Sequence, residues 1–111
     1  MTEVTLVRDK TGRFKAFNAS GHAGFAEKGS DIVCSAVTVL LRTAIQLLSE
    51  TDGVVINADV AAAGALSMEV TYAEPEMEQR LICIADFLEL GIGSLEAEYP
   101  QNIALRKENE H

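Results

Sequence analysis

The sequence predicts an α+β fold, in which two β-hairpins form an antiparallel or mixed sheet and two long helices pack on it. Three stretches alternate apolar and polar residues, as half-buried strands do, and two others repeat apolar residues every three or four positions, as amphipathic helices do. In chain order the elements are ββαββα, followed by a candidate C-terminal edge strand. A chain of 111 residues can bury one core of ordinary size, so we expect a single domain over residues 1–111.

The first hairpin is predicted from alternation over residues 3–8 and 13–19. Between these two strands, residues 9–12 read Asp-Lys-Thr-Gly. Aspartate and glycine favour tight turns, because the Asp side chain bonds nearby backbone and Gly accepts a positive φ. The sequence therefore predicts a short antiparallel connection here.

The segment after this hairpin begins with Gly21 and His22 and continues through mostly small, polar and glycine residues over 23–30. Few of these side chains can anchor a loop, so we expect lid-like motion with Gly24 and Gly29 as hinges. The alternative is an ordinary connector.

The first helix is predicted at about residues 32–50. Asp31 is of the type favoured at an N-cap, where its carboxylate accepts a hydrogen bond from the N–H of Val33 or Cys34. Apolar residues cover most of this helix, so we expect a central helix that is covered by another element as well as by the sheet. Its main stripe is Val33, Val37, Leu40, Leu41, Ala44 and Leu48, and Ile32, Ala36, Val39 and Leu47 extend it.

The second half of the chain predicts the same order of elements as the first, two strands and a helix, without a repeat of the sequence itself. Residues 54–60 and 65–72 predict a second hairpin, and apolar residues at helical spacing over 75–97 predict a second long helix. Residues 102–106 are the candidate edge strand, and residues 107–111 are expected to fray.

Composition limits the classes of partner. The net charge of −8 disfavours nucleic-acid binding through a basic patch and suits a cationic partner, although many soluble proteins are acidic for solubility alone. No apolar run approaches the roughly 20 residues of a membrane span, and residues 1–4 lack a secretory signal, so we expect a cytoplasmic protein without membrane contact. Cys34 and Cys83 fall in separate predicted helices, which disfavours a disulfide between them.

The candidate chemistry centres on Cys34 and His22. A cysteine in the first turn of a helix lies among N–H groups without intrahelical partners, whose partial positive charge favours the thiolate nucleophile. His22 ends the preceding strand, from which the chain could fold back and let the imidazole take the thiol proton. The alternatives are a small buried helix residue for Cys34 and a solvent-exposed loop histidine for His22.

Three further residues are candidate supports for this pair. Asp31 either caps the helix alone or also orients His22. Ser35 and Thr38 are expected to line the site, and the backbone N–H groups of Cys34 and Ser35 to form an oxyanion hole, although the Thr38 hydroxyl could instead bond a carbonyl one turn back. Cys83 is expected to be a packing residue.

Residues 21–23 (Gly-His-Ala) and 29–38 (Gly-Ser-Asp-Ile-Val-Cys-Ser-Ala-Val-Thr) resemble the signature of the ribosomal-processing cysteine proteases, the Prp family. The preceding hairpin, the apolar helix and the final helix ending in Glu-Tyr-Pro at 98–100 also fit, so the resemblance covers nearly the whole chain. Ser35 and Thr38 depart from the pattern, because many relatives carry Ala and Ser at these positions. Both changes are conservative and affect only fine positioning.

The resemblance implies a cofactor-free cysteine endopeptidase that removes a short N-terminal extension from a large-subunit ribosomal protein, cutting after two aromatic residues. It assigns the catalytic cysteine to Cys34, the histidine to His22 and the associated aspartate to Asp31. Residues 23–30 become a loop that closes over the peptide, and until it closes His22 is expected to lie too far from Cys34 for a hydrogen bond. The resemblance further implies a homodimer.

Two other classes of function remain open from the sequence. One is a non-catalytic ribosome-associated binding protein in which Cys34 only fills the core. The other is a redox or zinc site, which is weaker, because zinc needs about four ligands and His22, Cys34, Cys83 and His111 show no ligand spacing.

Overall fold

The structure is a computed structural model that describes residues 1–21, 28–60 and 65–110, with the backbone alone for residues 28–31. Its elements confirm the predicted ββαββα order and the C-terminal strand. They are β1 (Thr2–Arg8), β2 (Phe14–Ser20), α1 (Lys28–Ser49), β3 (Val54–Asp59), β4 (Ala65–Ala73), a 3₁₀ turn (Pro75–Met77), α2 (Glu78–Glu98) and β5 (Ile103–Asn109).

The five strands form one mixed sheet in the order β3-β4-β2-β1-β5. All neighbours are antiparallel except β5, which runs parallel to β1 from the pair Thr2↔Ile103 to the pair Arg8↔Asn109. The expectation of a frayed tail from residue 107 is therefore wrong for residues 107–109. They stay ordered because β1 offers backbone partners along its whole length.

The turn of the first hairpin is built on Asp9, as its sequence predicts. The Asp9 carboxylate accepts hydrogen bonds from the backbone N–H and side chain of both Thr11 and Arg13, and Gly12 has a φ of 89°. Burial alone would raise the pKa of Asp9, but these four hydrogen bonds outweigh it and lower the pKa from 3.8 to about 2. The turn therefore depends on an ionised carboxylate.

One face of the sheet packs against both helices and forms the core. The predicted stripe of α1 is confirmed, since its buried residues are Val33, Val37, Leu41, Ala44 and Leu48. From α2 the core receives Leu81, Ile84, Ala85, Leu88 and Ile92. Arg8 joins β1 to α2 through ion pairs with Asp86, at 2.6 Å, and Glu89, at 3.1 Å.

The outer surface of α1 is not covered within the described residues, contrary to expectation. Ile32, Val39 and Leu47 are all exposed, with Val39 at 64%. The two helices lie side by side on one face of the sheet, because Leu40 of α1 packs beside Gly91 of α2. A single helical layer leaves nothing in the described chain to cover the far side of either helix.

One described helical segment, residues 32–49, is long and apolar enough to cross a membrane by length and composition. This corrects the expectation that no apolar run approaches that length. The same segment places its stripe of five buried residues on the sheet of this domain, as the core helix of a folded domain does.

Candidate active site

Helix α1 begins at Lys28, four residues before the predicted start at 32. Asp31 therefore lies inside the first turn of the helix and is not its N-cap, and Gly29 lies in the helix rather than in a loop. The sequence misleads here because aspartate is common both at caps and in first turns, where the helix dipole favours it. Neither Gly29 nor Ser30 prevents the helix from extending backwards.

The earlier helix start also moves Cys34 from the first turn to the seventh helical position. The N–H groups that lack intrahelical partners are those of the first four helical residues, 28–31. In a regular helix the N–H groups of Cys34 and Ser35 point to the carbonyls of Ser30 and Asp31. The predicted oxyanion hole from Cys34 and Ser35 is therefore not formed in this conformation.

The Cys34 thiol is free and half-buried. The flank of α1 on which it lies follows from the position of Leu40. Leu40 marks the flank that faces α2, since a Cβ added at Gly91 would lie 3.2 Å from its Cδ1. At about 100° per residue, Cys34 and Thr38 lie on the opposite flank of the buried stripe. Since α1 contacts both β3 and β1, it crosses the sheet, and the flank that carries Cys34 is the one turned away from α2.

The predicted supporting residues divide between this flank and solvent. Thr38 follows Cys34 by one turn on the same flank and is half-buried, in a position to line the site. Ser35 is exposed and points away from the core. Cys83 is exposed on α2, so the expectation that it is a packing residue is wrong. Ile82 and Ile84 flank it in the sequence, but the helical turn directs Cys83 outward.

Gly21, immediately before His22, has a φ of 91°. A Cβ at this position would run into the carbonyl oxygen of Met1. The close approach of β2's end to the start of β1 thus requires glycine, and it fixes the point from which the chain leaves the sheet.

Part of the predicted site lies outside the described residues. His22, Gly24 and the remainder of residues 22–27 are not described, and neither is the side chain of Asp31. The pairing of His22 with Cys34, the closing loop and the role of Asp31 therefore stay predictions. Within the described chain, no group of three or more His, Cys, Asp or Glu residues is arranged to hold a metal ion.

Comparison with known proteins decides the family. The family model described as "Cysteine protease Prp" matches residues 1–104. The chain belongs to the Prp family of cysteine proteases. This membership confirms the resemblance inferred from the residues around His22 and Cys34 and the predicted enzyme class.

Similar proteins include the ribosomal processing cysteine proteases Prp of Bacillus subtilis and Mycoplasma pneumoniae. The first is 26% identical over 105 residues, covering 93% of this chain and 94% of the relative. The second is 35% identical over 86 residues, covering 78% of this chain and 80% of the relative.

Solved structures share the fold of this Prp family member. The crystal structure of SMU.848 from Streptococcus mutans superposes with a TM-score of 0.80 at 24% identity, covering 99% of each chain. The essential ribosomal processing protease Prp from S. aureus, in complex with a substrate peptide, also gives 0.80, at 18% identity over 96% of this chain and 99% of that one. The mixed sheet with two helices is thus the Prp architecture.

Proposed function

We propose that this protein is a cytoplasmic endopeptidase that removes the N-terminal extension of a large-subunit ribosomal protein precursor, with Cys34 as nucleophile and His22 as its base. One observation carries the proposal. The match to the Prp family covers the helix that carries Cys34, and that thiol is half-buried on the flank of α1 that is turned away from α2. A nucleophile must be reachable in this way, whereas a core cysteine need not be.

The reaction is an acyl transfer through a thioester. His22 accepts the thiol proton of Cys34, and Sγ attacks the scissile carbonyl carbon. The C–N bond breaks, His22 returns the proton to the leaving amine of the mature ribosomal protein, and the extension stays bound as a thioester. Water then attacks the thioester, releases the extension as a carboxylate and restores the thiol.

Because α1 begins before Asp31, this residue does not cap the helix. We propose that Asp31 instead orients the His22 imidazole for proton transfer with Cys34. We further propose that the loop over residues 23–30 closes on the bound peptide and that the first turn of α1 unwinds as it does so. Unwinding would free backbone N–H groups near Cys34 to bind the oxyanion.

The assay uses the pure protein and a synthetic peptide that copies the extension of the host's own ribosomal protein. Mass spectrometry should find one Cys34-dependent cut, and the Cys34→Ala variant should lose at least 10³-fold in kcat/KM, as expected when a covalent nucleophile is removed. Cys83→Ala is the matched control and should retain activity, because this thiol lies exposed on α2, away from the flank that carries Cys34. Cleavage by Cys34→Ala at the wild-type rate would instead favour a non-catalytic binding protein.

The oligomeric state that we propose is a homodimer formed through the helical layer. Five large apolar side chains of α1 and α2 are exposed on this layer, from Leu47 at 43% to Leu90 at 73%. Leu40 packs beside Gly91, so the two helices that carry the five residues are neighbours. A second copy would bury this surface, which is Ile32, Val39, Leu47, Phe87 and Leu90.

A further inference from the structure

The Glu-Tyr-Pro segment at residues 98–100 ends α2 and begins a tight turn that leads into β5. The N–H of Tyr99 donates to the carbonyl of Leu95 at 2.7 Å and closes the last turn of the helix. The Tyr99 carbonyl then accepts two hydrogen bonds, from the N–H of Asn102 at 2.9 Å and from the N–H of Ile103 at 3.2 Å. The position of Tyr99 therefore sets the position of the residues that join the turn to the sheet.

This turn is anchored to the core at both of its ends. The Tyr99 side chain is half-buried and packs against the core, and Ile103, the first residue of β5, is fully buried. Pro100 disfavours the helical conformation for the residue before it, and Tyr99 has a φ of −127° and a ψ of 60°, outside the helical region. The backbone between the two anchors consequently has little freedom to shift.

The turn in turn holds the peptide unit between Met1 and Thr2. The Asn102 carbonyl accepts a hydrogen bond from the N–H of Thr2 at 2.9 Å, and β1 and β5 run in parallel register from the pair Thr2↔Ile103. In a trans peptide unit the N–H and the C=O point in opposite directions. Because the Thr2 N–H points toward β5, the Met1 carbonyl points toward β2, the strand on the other side of β1.

The Met1 carbonyl lies against Gly21, where the chain leaves β2. The pairing of β1 with β2 extends to Glu3↔Ser20, so Gly21 is the next residue along β2. A Cβ at Gly21 would strike the Met1 carbonyl oxygen and would lie 3.9 Å from the Cα of Thr2. One planar peptide unit thus contacts the turn after α2 on one side and Gly21 on the other.

We infer that Tyr99 is a positioning residue for His22, and this inference rests on the proposed protease function. The contacts run from the Tyr99 carbonyl through Asn102 and the Met1–Thr2 peptide unit to Gly21, and His22 follows Gly21 directly in the chain. Gly21 has a φ of 91°, and the direction in which the chain departs toward His22 depends on this conformation. The packed Met1 carbonyl restrains it.

A positioning role and a purely structural role predict different kinetics. Displacing a catalytic group by about 1 Å can lower a rate by as much as about 100-fold, because proton transfer needs close and well-aligned partners. A displaced His22 imidazole would slow proton transfer from Cys34 and leave binding of the peptide unchanged. A structural role alone would lower the melting temperature and leave kcat unchanged below it.

Substitutions at Tyr99, assayed with the synthetic extension peptide below their melting temperatures, separate these roles. Tyr99→Ala removes the ring that anchors the turn and should lower kcat about tenfold, with KM unchanged to within about twofold. Tyr99→Phe keeps the ring and should keep the wild-type kcat. The control for lost stability is Val54→Ala, since Val54 is buried at the opposite end of the sheet from Gly21.

Wild-type kcat in Tyr99→Ala would overturn the inference, and so would an equal loss of kcat in the Val54→Ala control. If Tyr99→Ala does not fold, Pro100→Ala takes its place, because Pro100 is exposed and its replacement loosens the turn without emptying the core. This variant should lower kcat about threefold, and an unchanged kcat in it would contradict the inference.

A double variant tests whether Tyr99 acts through the Met1–Thr2 peptide unit. Thr2→Pro removes the N–H that bonds Asn102, whereas Thr2→Val keeps that N–H and should keep the wild-type kcat. If both changes act along one route, Tyr99→Ala combined with Thr2→Pro should lose little more, within about twofold, than the more impaired single variant. Losses that multiply in the double variant would mean that Tyr99 acts by another route and would refute the inference.

NMR of protein labelled with ¹³C at the histidine Cε1 tests the position of His22 without using the reaction. The chain has two histidines, His22 and His111, and His22→Ala assigns their signals. In Tyr99→Ala the His22 signal should move, while the His111 signal stays, and neither should move in Val54→Ala. An unmoved His22 signal in Tyr99→Ala makes the inference wrong. If that signal moves but the wild-type protein cleaves no peptide, the protease function is wrong and the link between Tyr99 and His22 stands.

Discussion

At the scale of single residues, two glycines with almost the same backbone conformation have different structural roles. Gly12 and Gly21 have φ values of 89° and 91°. At Gly12 an added Cβ would meet only the Arg8 side chain at 4.0 Å, whereas at Gly21 it would strike the backbone carbonyl of Met1. Gly12 therefore serves only the turn, while Gly21 also permits the close approach of two strand ends immediately before His22.

Replacement of Gly21 by alanine should destabilise the fold by about 2 kcal/mol or more, from the positive φ and the backbone clash together. Gly12→Ala is the matched control. There alanine is strained by the positive φ, at about 1 kcal/mol, but its Cβ meets no backbone atom. Thermal unfolding should show the larger fall for Gly21→Ala, with about 4 °C or more per kcal/mol. An equal decrease in melting temperature in the two variants would show that the clash with the Met1 carbonyl does not add to the destabilisation.

At the scale of elements, local contacts fix the first hairpin, whereas the start of α1 is poorly specified by its sequence. The turn at residues 9–12 has a carboxylate that receives four hydrogen bonds from its own neighbours. The start of α1 has several residues that a helix tolerates and no unique cap, and it extends four residues beyond the predicted position. Because of that shift, the N–H groups without intrahelical partners are those of residues 28–31, whereas the sequence predicted Cys34 and Ser35 as the oxyanion donors.

The hairpin turn predicts a pH dependence of stability. The Asp9 pKa is lowered to about 2, so its stabilisation is complete above the unfolded value of about 4 and is lost as pH falls from about 4 to about 2. The free energy of unfolding should fall by about 2 kcal/mol across this window, measured by urea denaturation at each pH. In Asp9→Asn that fall should be reduced by the same amount, and an unchanged pH profile in the variant would exclude this role of Asp9.

The helical position of Gly29 makes a prediction about gating. Gly29→Ala should stabilise α1 by up to about 1 kcal/mol and raise the melting temperature. If the first turn must unwind for catalysis, the same change should lower kcat/KM about fivefold. Gly93→Ala in α2 is the control, because an added Cβ meets nothing within 4 Å there, and it should raise stability without changing kcat/KM. Unchanged activity in Gly29→Ala would mean that the helix start does not open.

At the scale of the whole molecule, one helical layer on one sheet leaves the outer helical surface uncovered among the residues that the structure describes. The apolar helical surface suits a second copy. This surface is separate from Cys34, since Cys34 lies on the flank of α1 that is turned away from α2. A dimer could therefore form while the flank with Cys34 stays accessible in both copies.

The dimer predicts a strong effect of charge on the helical surface. Val39→Glu should shift sedimentation from dimer to monomer and weaken self-association at least 100-fold, because it buries an unpaired carboxylate in the contact. Tyr72→Glu replaces another exposed apolar side chain, on β4, and should leave self-association unchanged. If Val39→Glu stays dimeric at wild-type concentrations, the contact lies elsewhere.

Periodicity and the motif around Cys34 are local properties of the chain, and for that reason they were enough to predict the fold class, the order of elements, the buried stripe of α1 and the family. Three features became clear from the three-dimensional arrangement: β5 extends along all of β1, Cys83 and the outer side of α1 are exposed, and Cys34 lies on the flank of α1 that is turned away from α2. Each of these depends on which elements become neighbours. Strand order and the side-by-side placement of two helices arise from long-range packing, which no local pattern of residues records.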